Sequence, residues 1–233
     1  MNLDEARLFF KDKSVILVGN SVELMNHDYA DFIDSYDIVV RFGKAIESSE
    51  TERMSIGSKL DVWLTGEFRS RMAIKEPYRS MLRNKLILFN RSRMHMTRPL
   101  YKIKEMSKSF DMYSDDEILD IYKEYNITDS DPDARRFSAG LWAIKFFCEK
   151  IKTQKSVTLI GFDFFKKYTS IRRGGNADPC SWHRPISAGN KETHWHEQEV
   201  DIVNSLKDQG LLNWIIISNL DSEEISGTKY GKF

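Results

Sequence analysis

Residues 14–45, SVILVGNSVELMNHDYADFIDSYDIVVRFGKA, decide the fold. A short apolar run from Val15 to Val18 ends in Gly19-Asn20-Ser21, and a second run from Ile38 to Val40 ends in Arg41. The pattern predicts a strand, a sharp turn, a helical segment and a second strand whose end carries a cation. In an open α/β sheet, ligands bind outside the carboxyl ends of the strands. A Gly-Asn-Ser turn placed there offers backbone N–H groups and a carboxamide to an anion. The turn lacks the remaining glycines of G-x-G-x-x-G, and no G-x-x-x-x-G-K-[ST] occurs, so ordinary dinucleotide and P-loop readings fail. Taken alone, the segment also fits a purely structural strand-to-helix turn of the same fold class.

Working outward, apolar runs with polar boundaries recur at Ser14–Val18, Asp37–Arg41, Asp61–Leu64, Lys85–Phe89, Ser156–Ile160 and Trp214–Ser218. Most are almost continuously apolar, as strands covered on both faces of a parallel sheet are. Helical patterns lie between them. Ile118, Leu119, Ile121, Tyr122 and Tyr125 form one amphipathic stripe, and Leu141, Ile144, Cys148 and Ile151 repeat along one helix face. Val200, Ile202, Val203 and Leu206 suggest a further helix after residue 194. The expectation is a single Rossmann-like, three-layer α/β/α domain over residues 1–233 with a mainly parallel sheet. The less patterned stretch 66–135 is expected to hold insertions at the rim of the site, and 219–233 a tail.

Composition bounds the function. The chain has 233 residues, 41% hydrophobic and 30% charged, with a formal net charge of zero. That describes a globular protein without the charge excess of a general nucleic-acid or anionic-membrane binder. No apolar run reaches the ~18 residues a spanning helix needs. The start, MNLDEARLFFKDK, is too charged for a signal peptide, so a cytoplasmic location with at most peripheral membrane contact is expected. Cys148 and Cys180 make neither a zinc pattern nor a disulfide framework.

Two more segments carry chemistry. In RRFSAGLWAIKFFCEKIKTQKSVTLIGFDFF, residues 135–165, Ser138 stands where an N-cap belongs and Ala139 and Gly140 open the helix. Helix N–H groups left open in this way attract anions. The following strand ends at Gly161-Phe162-Asp163. A capped core helix feeding a strand is the plain alternative. In SWHRPISAGNKETHWHEQEVDIVNSL, residues 181–206, His183, His194 and His196 crowd together although the chain has only five histidines. With Glu197 and Glu199 nearby, zinc is the obvious competitor. The H-x-H spacing, however, lacks the H-E-x-x-H helix pattern, and no cysteine pair completes it.

The three segments together resemble the glycosyltransferase family 29 sialyltransferases. Gly19-Asn20-Ser21, Ile33-Asp34-Ser35-Tyr36-Asp37, Val39-Val40-Arg41 and Gly57-Ser58-Lys59 follow the order of that family's large sialylmotif. Ser138-Ala139-Gly140 with Gly161-Phe162 resembles the small motif, Ser181-Trp182-His183 the third, and His194 to Glu199 the H-x-x-x-x-E of the very-small motif. The bacterial family 42 sialyltransferases share a related G-N-G-P-S, S-G and late-histidine plan. The resemblance covers about half of the chain.

It implies a CMP-activated sugar donor and a glycan or glycolipid acceptor. It makes His194 the general base, His183 a partner of the leaving phosphate, and Glu199 a support for local structure. Gly19, Asn20, Ser21, Arg41, Ser138, Ala139, Gly140 and Gly161 become the donor-binding set. Histidine suits a base because its pKa lies near working pH. A CMP leaving group needs no divalent cation if N–H groups, Asn20 and a cation or imidazole surround its phosphate, so no metal and no cofactor are expected. Asp115-Asp116 and Asp131-Pro132-Asp133 read as solvated loop or helix-cap acids and not as a D-x-D metal motif.

Departures from the family pattern bear on the donor. Gly43 stands where the large motif usually has Asn, and Val15 and Ile151 stand at the places of the cysteines that animal members bridge. Sialic acid and Kdo donors share CMP and an anomeric carboxylate, so both readings stay open, with lipopolysaccharide or capsule a natural destination. A non-catalytic nucleotide-binding protein and a zinc hydrolase remain as alternatives of other classes.

Overall fold

The computed structural model describes residues 1–21, 24, 27–43, 50–65, 76–90, 107–125, 137–153, 155–162 and 196–215, with the side chains of 50–52 and 196–197 outside that description. Its centre is a seven-stranded sheet. The strands are β1 (Val15–Val18), β2 (Ile38–Phe42), β3 (Val62–Thr65), β4 (Leu86–Phe89), β5 (Ser109–Asp111), β6 (Val157–Ile160) and β7 (Leu212–Ile215). They lie in the order β5-β4-β3-β2-β1-β6-β7, and every pairing is parallel. The expected α/β architecture with a parallel sheet is the one observed.

The strand sequences explain the layering. β1, β2, β3, β4 and β6 are aliphatic or aromatic almost throughout and are buried along their whole length. Alternate residues feed two cores. Val15, Leu17 and Val40 join one, while Ile16, Val18 and Val39 join the other with Ile33, Ile56 and Ile160. The edge strands β5 and β7 are less buried and carry polar residues, as edges exposed to solvent should.

The helices are α1 (Leu3–Phe10), α2 (Ala30–Asp34), α3 (Glu50–Ile56), α4 (Tyr78–Leu82), α5 (Asp115–Glu124), α6 (Ala139–Lys145) and α7 (His196–Asp208). A π-helical turn, Phe146–Ile151, extends α6 and ends at Lys152 with a left-handed φ of 52°. Leu141, Ile144, Cys148 and Ile151 are all buried, but so are Trp142, Ala143, Phe146 and Phe147. This helix is therefore enclosed nearly all round. Phe147 meets Phe10 of α1 edge-on, with ring centroids 5.0 Å apart.

Several elements differ from expectation. In α5 the inward residues are Ile118 and Tyr122, one turn apart, and Leu119 is 44% exposed because it lies about 100° round the helix from Ile118. Asp115 and Asp116 occupy the first turn of α5 behind the N-cap Ser114, where carboxylates favour the helix dipole. β7 starts at Leu212, two residues before the expected strand. The helical segment expected between the first two strands is α2, whereas β5 and helices α1, α3 and α4 were not anticipated, being short or weakly periodic. Within 66–135, the described parts supply β4, β5, α4 and α5 to the sheet and its cover.

From β1 the chain steps outward to β5 and then returns to place β6 on the other flank of β1. The strand order reverses between β1 and β6, and that crevice is where doubly wound folds bind ligands.

Candidate functional site

At this reversal the turns after β1 and β6 touch through their backbones. The Gly19 N–H donates to the Ile160 carbonyl at 2.8 Å, and the Ser21 N–H to the Gly161 carbonyl at 3.1 Å. A Cβ on Gly19 would stand 2.1 Å from the Gly161 carbonyl oxygen, so only glycine allows this approach. Gly161 itself has φ +72°, and a Cβ there would meet Leu24 at 2.4 Å. Thus the first and second motifs, distant in sequence, form one surface. Ser21 is buried within it, while Asn20 is half-buried and has no hydrogen-bond partner among the described residues.

The ring of Phe162 fills the space between the motifs. It lies against Gly19 and Gly140, where added Cβ atoms would come within 3.1 Å and 2.9 Å of ring carbons, and it meets Phe42 edge-on at 5.6 Å. Gly140 thereby brings the start of α6 to the same crevice. Ser138 caps α6, its Oγ accepting the Leu141 N–H at 3.1 Å. The N–H groups of Ala139 and Gly140 have no partner among the described residues.

Glu199 of α7 reaches the same cap. Its carboxyl accepts the Ser138 N–H at 2.5 Å and the Ser138 hydroxyl at 2.7 Å. The side chain is fully buried. Burial pushes its pKa up to about 7, outweighing the two Ser138 bonds that act the other way. Glu199 therefore ties the first turns of α7 to the N-cap of α6.

Arg41, near the end of β2, is anchored to the framework. It is buried, its Nε donates to the Lys59 carbonyl at 2.8 Å, and its Nη2 donates to the Ile56 carbonyl at 2.7 Å. The carboxylate of Asp34 lies 3.8 Å from Nη2 and also accepts the Ser58 and Lys59 N–H groups at 2.9 Å and 3.1 Å. Lys59 Nζ donates to the Tyr36 carbonyl. Asp37 accepts the Ser14 N–H and hydroxyl at 2.8 Å and 2.7 Å, bonds that hold its carboxyl below the usual carboxylate range. The later half of the first motif is thus a knot that joins β1, β2 and the loop before β3. The turn Gly19-Asn20-Ser21 is the part that faces the crevice.

Among the sequence-derived residues, Gly19, Asn20, Ser21, Ser138, Ala139, Gly140, Gly161 and Glu199 come together. His183, His194, Arg135, Arg136 and Cys180 lie outside the described residues, as does the side chain of His196. Phe162 stands in the second motif as quoted, but its packing against both Gly19 and Gly140 was not anticipated, because a contact across distant turns leaves no local spacing. No cluster of three metal-binding side chains and no helix long and apolar enough to cross a membrane occurs among the described residues.

Comparison with known proteins gives one kind of match. No family model matches the chain, and no curated protein sequence does. Among solved structures, the monofunctional α-2,3-sialyltransferase Cst-I from Campylobacter jejuni aligns with a TM-score of 0.54 at 18% identity, over 86% of this chain and 74% of that one. A variant of the sialyltransferase Cst-II in complex with CMP aligns with a TM-score of 0.55 at 14% identity, over 87% of this chain and 80% of that one. At these identities the likeness is one of fold.

Proposed function

We propose that this chain is an inverting, metal-independent glycosyltransferase. It moves sialic acid or a related 2-keto sugar from a CMP donor to a hydroxyl of a glycan or glycolipid. The observation that carries this reading is the meeting of the Gly19-Asn20-Ser21 turn, the Ser138-Ala139-Gly140 helix start and Gly161 at the point where the strand order reverses. The fold shared with Cst-I and Cst-II, the latter solved with CMP, supports the same reading.

In this mechanism the Asn20 carboxamide and the open N–H groups of Ala139 and Gly140 receive the nucleotide and its phosphate. Hydrogen bonds aimed at charge that grows on a leaving group lower the barrier most. His194 takes the proton of the acceptor hydroxyl as that oxygen attacks the anomeric carbon. The bond to the phosphate oxygen breaks with its electron pair going to CMP, and the configuration inverts. His183 assists the departing phosphate. Glu199, five residues after His194, acts by holding the first turns of α7 against the Ser138 cap.

Calorimetric and thermal-shift titrations with CMP, UMP, NAD and zinc test the reading on wild type and Asn20→Ala. Selective CMP binding that weakens in the variant supports it. Zinc binding without a CMP response would reassign the histidine segment to a metal site. Parallel turnover of CMP-sialic acid and CMP-Kdo decides the donor.

A further inference from the structure

The crevice turn is bracketed by two exit loops, each fastened by an indole. On the β2 side, Trp63 of β3 is fully buried, and its Nε1–H donates to the Gly43 carbonyl at 2.8 Å. Gly43 follows the end of β2 directly and has φ +52°. The β1–β2 register pairs Val18 with Arg41, which puts Gly43 level with Asn20. On the β6 side, Trp214 of β7 donates its Nε1–H to the Phe162 carbonyl at 3.3 Å. Val18 pairs with Ile160 on that side, so Phe162 is also level with Asn20.

The arrangement is symmetric about β1. Each indole comes from the strand one place beyond the neighbour of β1, and each grips the carbonyl of the exit-loop residue level with Asn20 on its side. A carbonyl held in this way fixes the orientation of the following peptide plane and so the direction in which the chain leaves the sheet. A purely apolar residue at either place would pack but would leave the carbonyl without this donor. Both tryptophans stand at the carboxyl half of the sheet, where the crevice lies.

From this bracket we infer that Trp63 and Trp214 are positioning residues for nucleotide binding. They act through Gly43 and Phe162 to hold the walls on either side of the Asn20 turn. The inference rests on the donor reading above. It adds residues that the sequence pattern treats as core.

The test is CMP titration by calorimetry on wild type, Trp63→Phe and Trp214→Phe, well below each protein's melting temperature. Phenylalanine keeps an aromatic ring and removes the N–H donor. Each variant is expected to bind CMP about tenfold more weakly, equivalent to ~1.4 kcal/mol, with its circular dichroism spectrum unchanged. The indole N–H resonances that disappear in the two variants are also expected to shift in the wild-type spectrum when CMP is added. Trp214→Phe, at a half-buried edge position, serves if Trp63→Phe does not fold. Wild-type CMP affinity in folded variants, or indole resonances indifferent to CMP, would overturn the inference while leaving the donor reading standing. A wild type that does not bind CMP would remove both.

Discussion

Replacing Glu199 by Gln should change how stability depends on pH, and the structure sets the size of the change. The Glu199 carboxyl is fully buried on Ser138, with its pKa raised from 4.5 in the unfolded chain to about 7 in the fold. Below pH 4.5 both states hold the proton and this group carries no penalty. Between 4.5 and about 7 the unfolded chain releases its proton while the folded protein keeps it, so stability falls as pH rises. Above that window both states are ionised and the full cost remains. The separation corresponds to ~3 kcal/mol at about 1.4 kcal/mol per pH unit. Gln does not titrate, yet it retains an acceptor for the Ser138 N–H and a donor toward the Ser138 hydroxyl oxygen. Urea unfolding of both proteins at pH 5 and pH 8 isolates the effect, since all other titrating groups are shared. The stability of Glu199→Gln relative to wild type should rise by ~2–3 kcal/mol between the two pH values. A relative stability that stays constant within ~0.5 kcal/mol would refute the idea that burial governs this carboxyl.

Other substitutions probe the same architecture. Gly19→Ala drives a methyl to 2.1 Å from the Gly161 carbonyl oxygen and should cost ~1–3 kcal/mol, read from the urea midpoint, with CMP binding lost. Arg41→Lys loses the paired bonds to the Ile56 and Lys59 carbonyls, so it should lower stability by ~2 kcal/mol. If Arg41 instead contacted the donor in preference to the framework, CMP affinity would fall while the melting temperature held. Asp37→Asn should erase a stabilisation that wild type shows above pH 3.8 and loses as pH falls through the lowered folded pKa, visible in acid-unfolding curves.

Much of the architecture was legible because buried parallel strands leave almost uninterrupted apolar runs, as at Val15–Val18 and Val157–Ile160. Edges were harder. β5 has only three residues and half-buried side chains, so it does not stand out by hydropathy, and β7 begins before the expected run at Trp214 because Asn213 interrupts its apolar pattern. The turn at Gly19, the Ser138 cap and the carboxyl of Glu199 were each visible as residue types. Their mutual contacts were not, because pairing between β1 and β6 and docking of α7 on α6 are long-range events that no local spacing records. Arg41 shows another contact that local spacing does not record. A cation at a strand end reads naturally as an anion ligand, and the fold also bonds its Nε and Nη2 to backbone carbonyls and sets Asp34 beside it. Trp63 and Trp214 look like core by sequence, and only the structure shows the carbonyls to which their N–H groups donate.

The most direct test of the central claim is to follow CMP-sialic acid by real-time NMR with wild type and His194→Ala, in the presence of a galactose-terminated acceptor. The account predicts CMP release by wild type with the sugar emerging in the opposite anomeric configuration, unaffected by chelator, and at least a hundredfold slower turnover in the variant. No CMP release from CMP-sialic acid or CMP-Kdo by the folded wild type, or equal rates in His194→Ala, would contradict it.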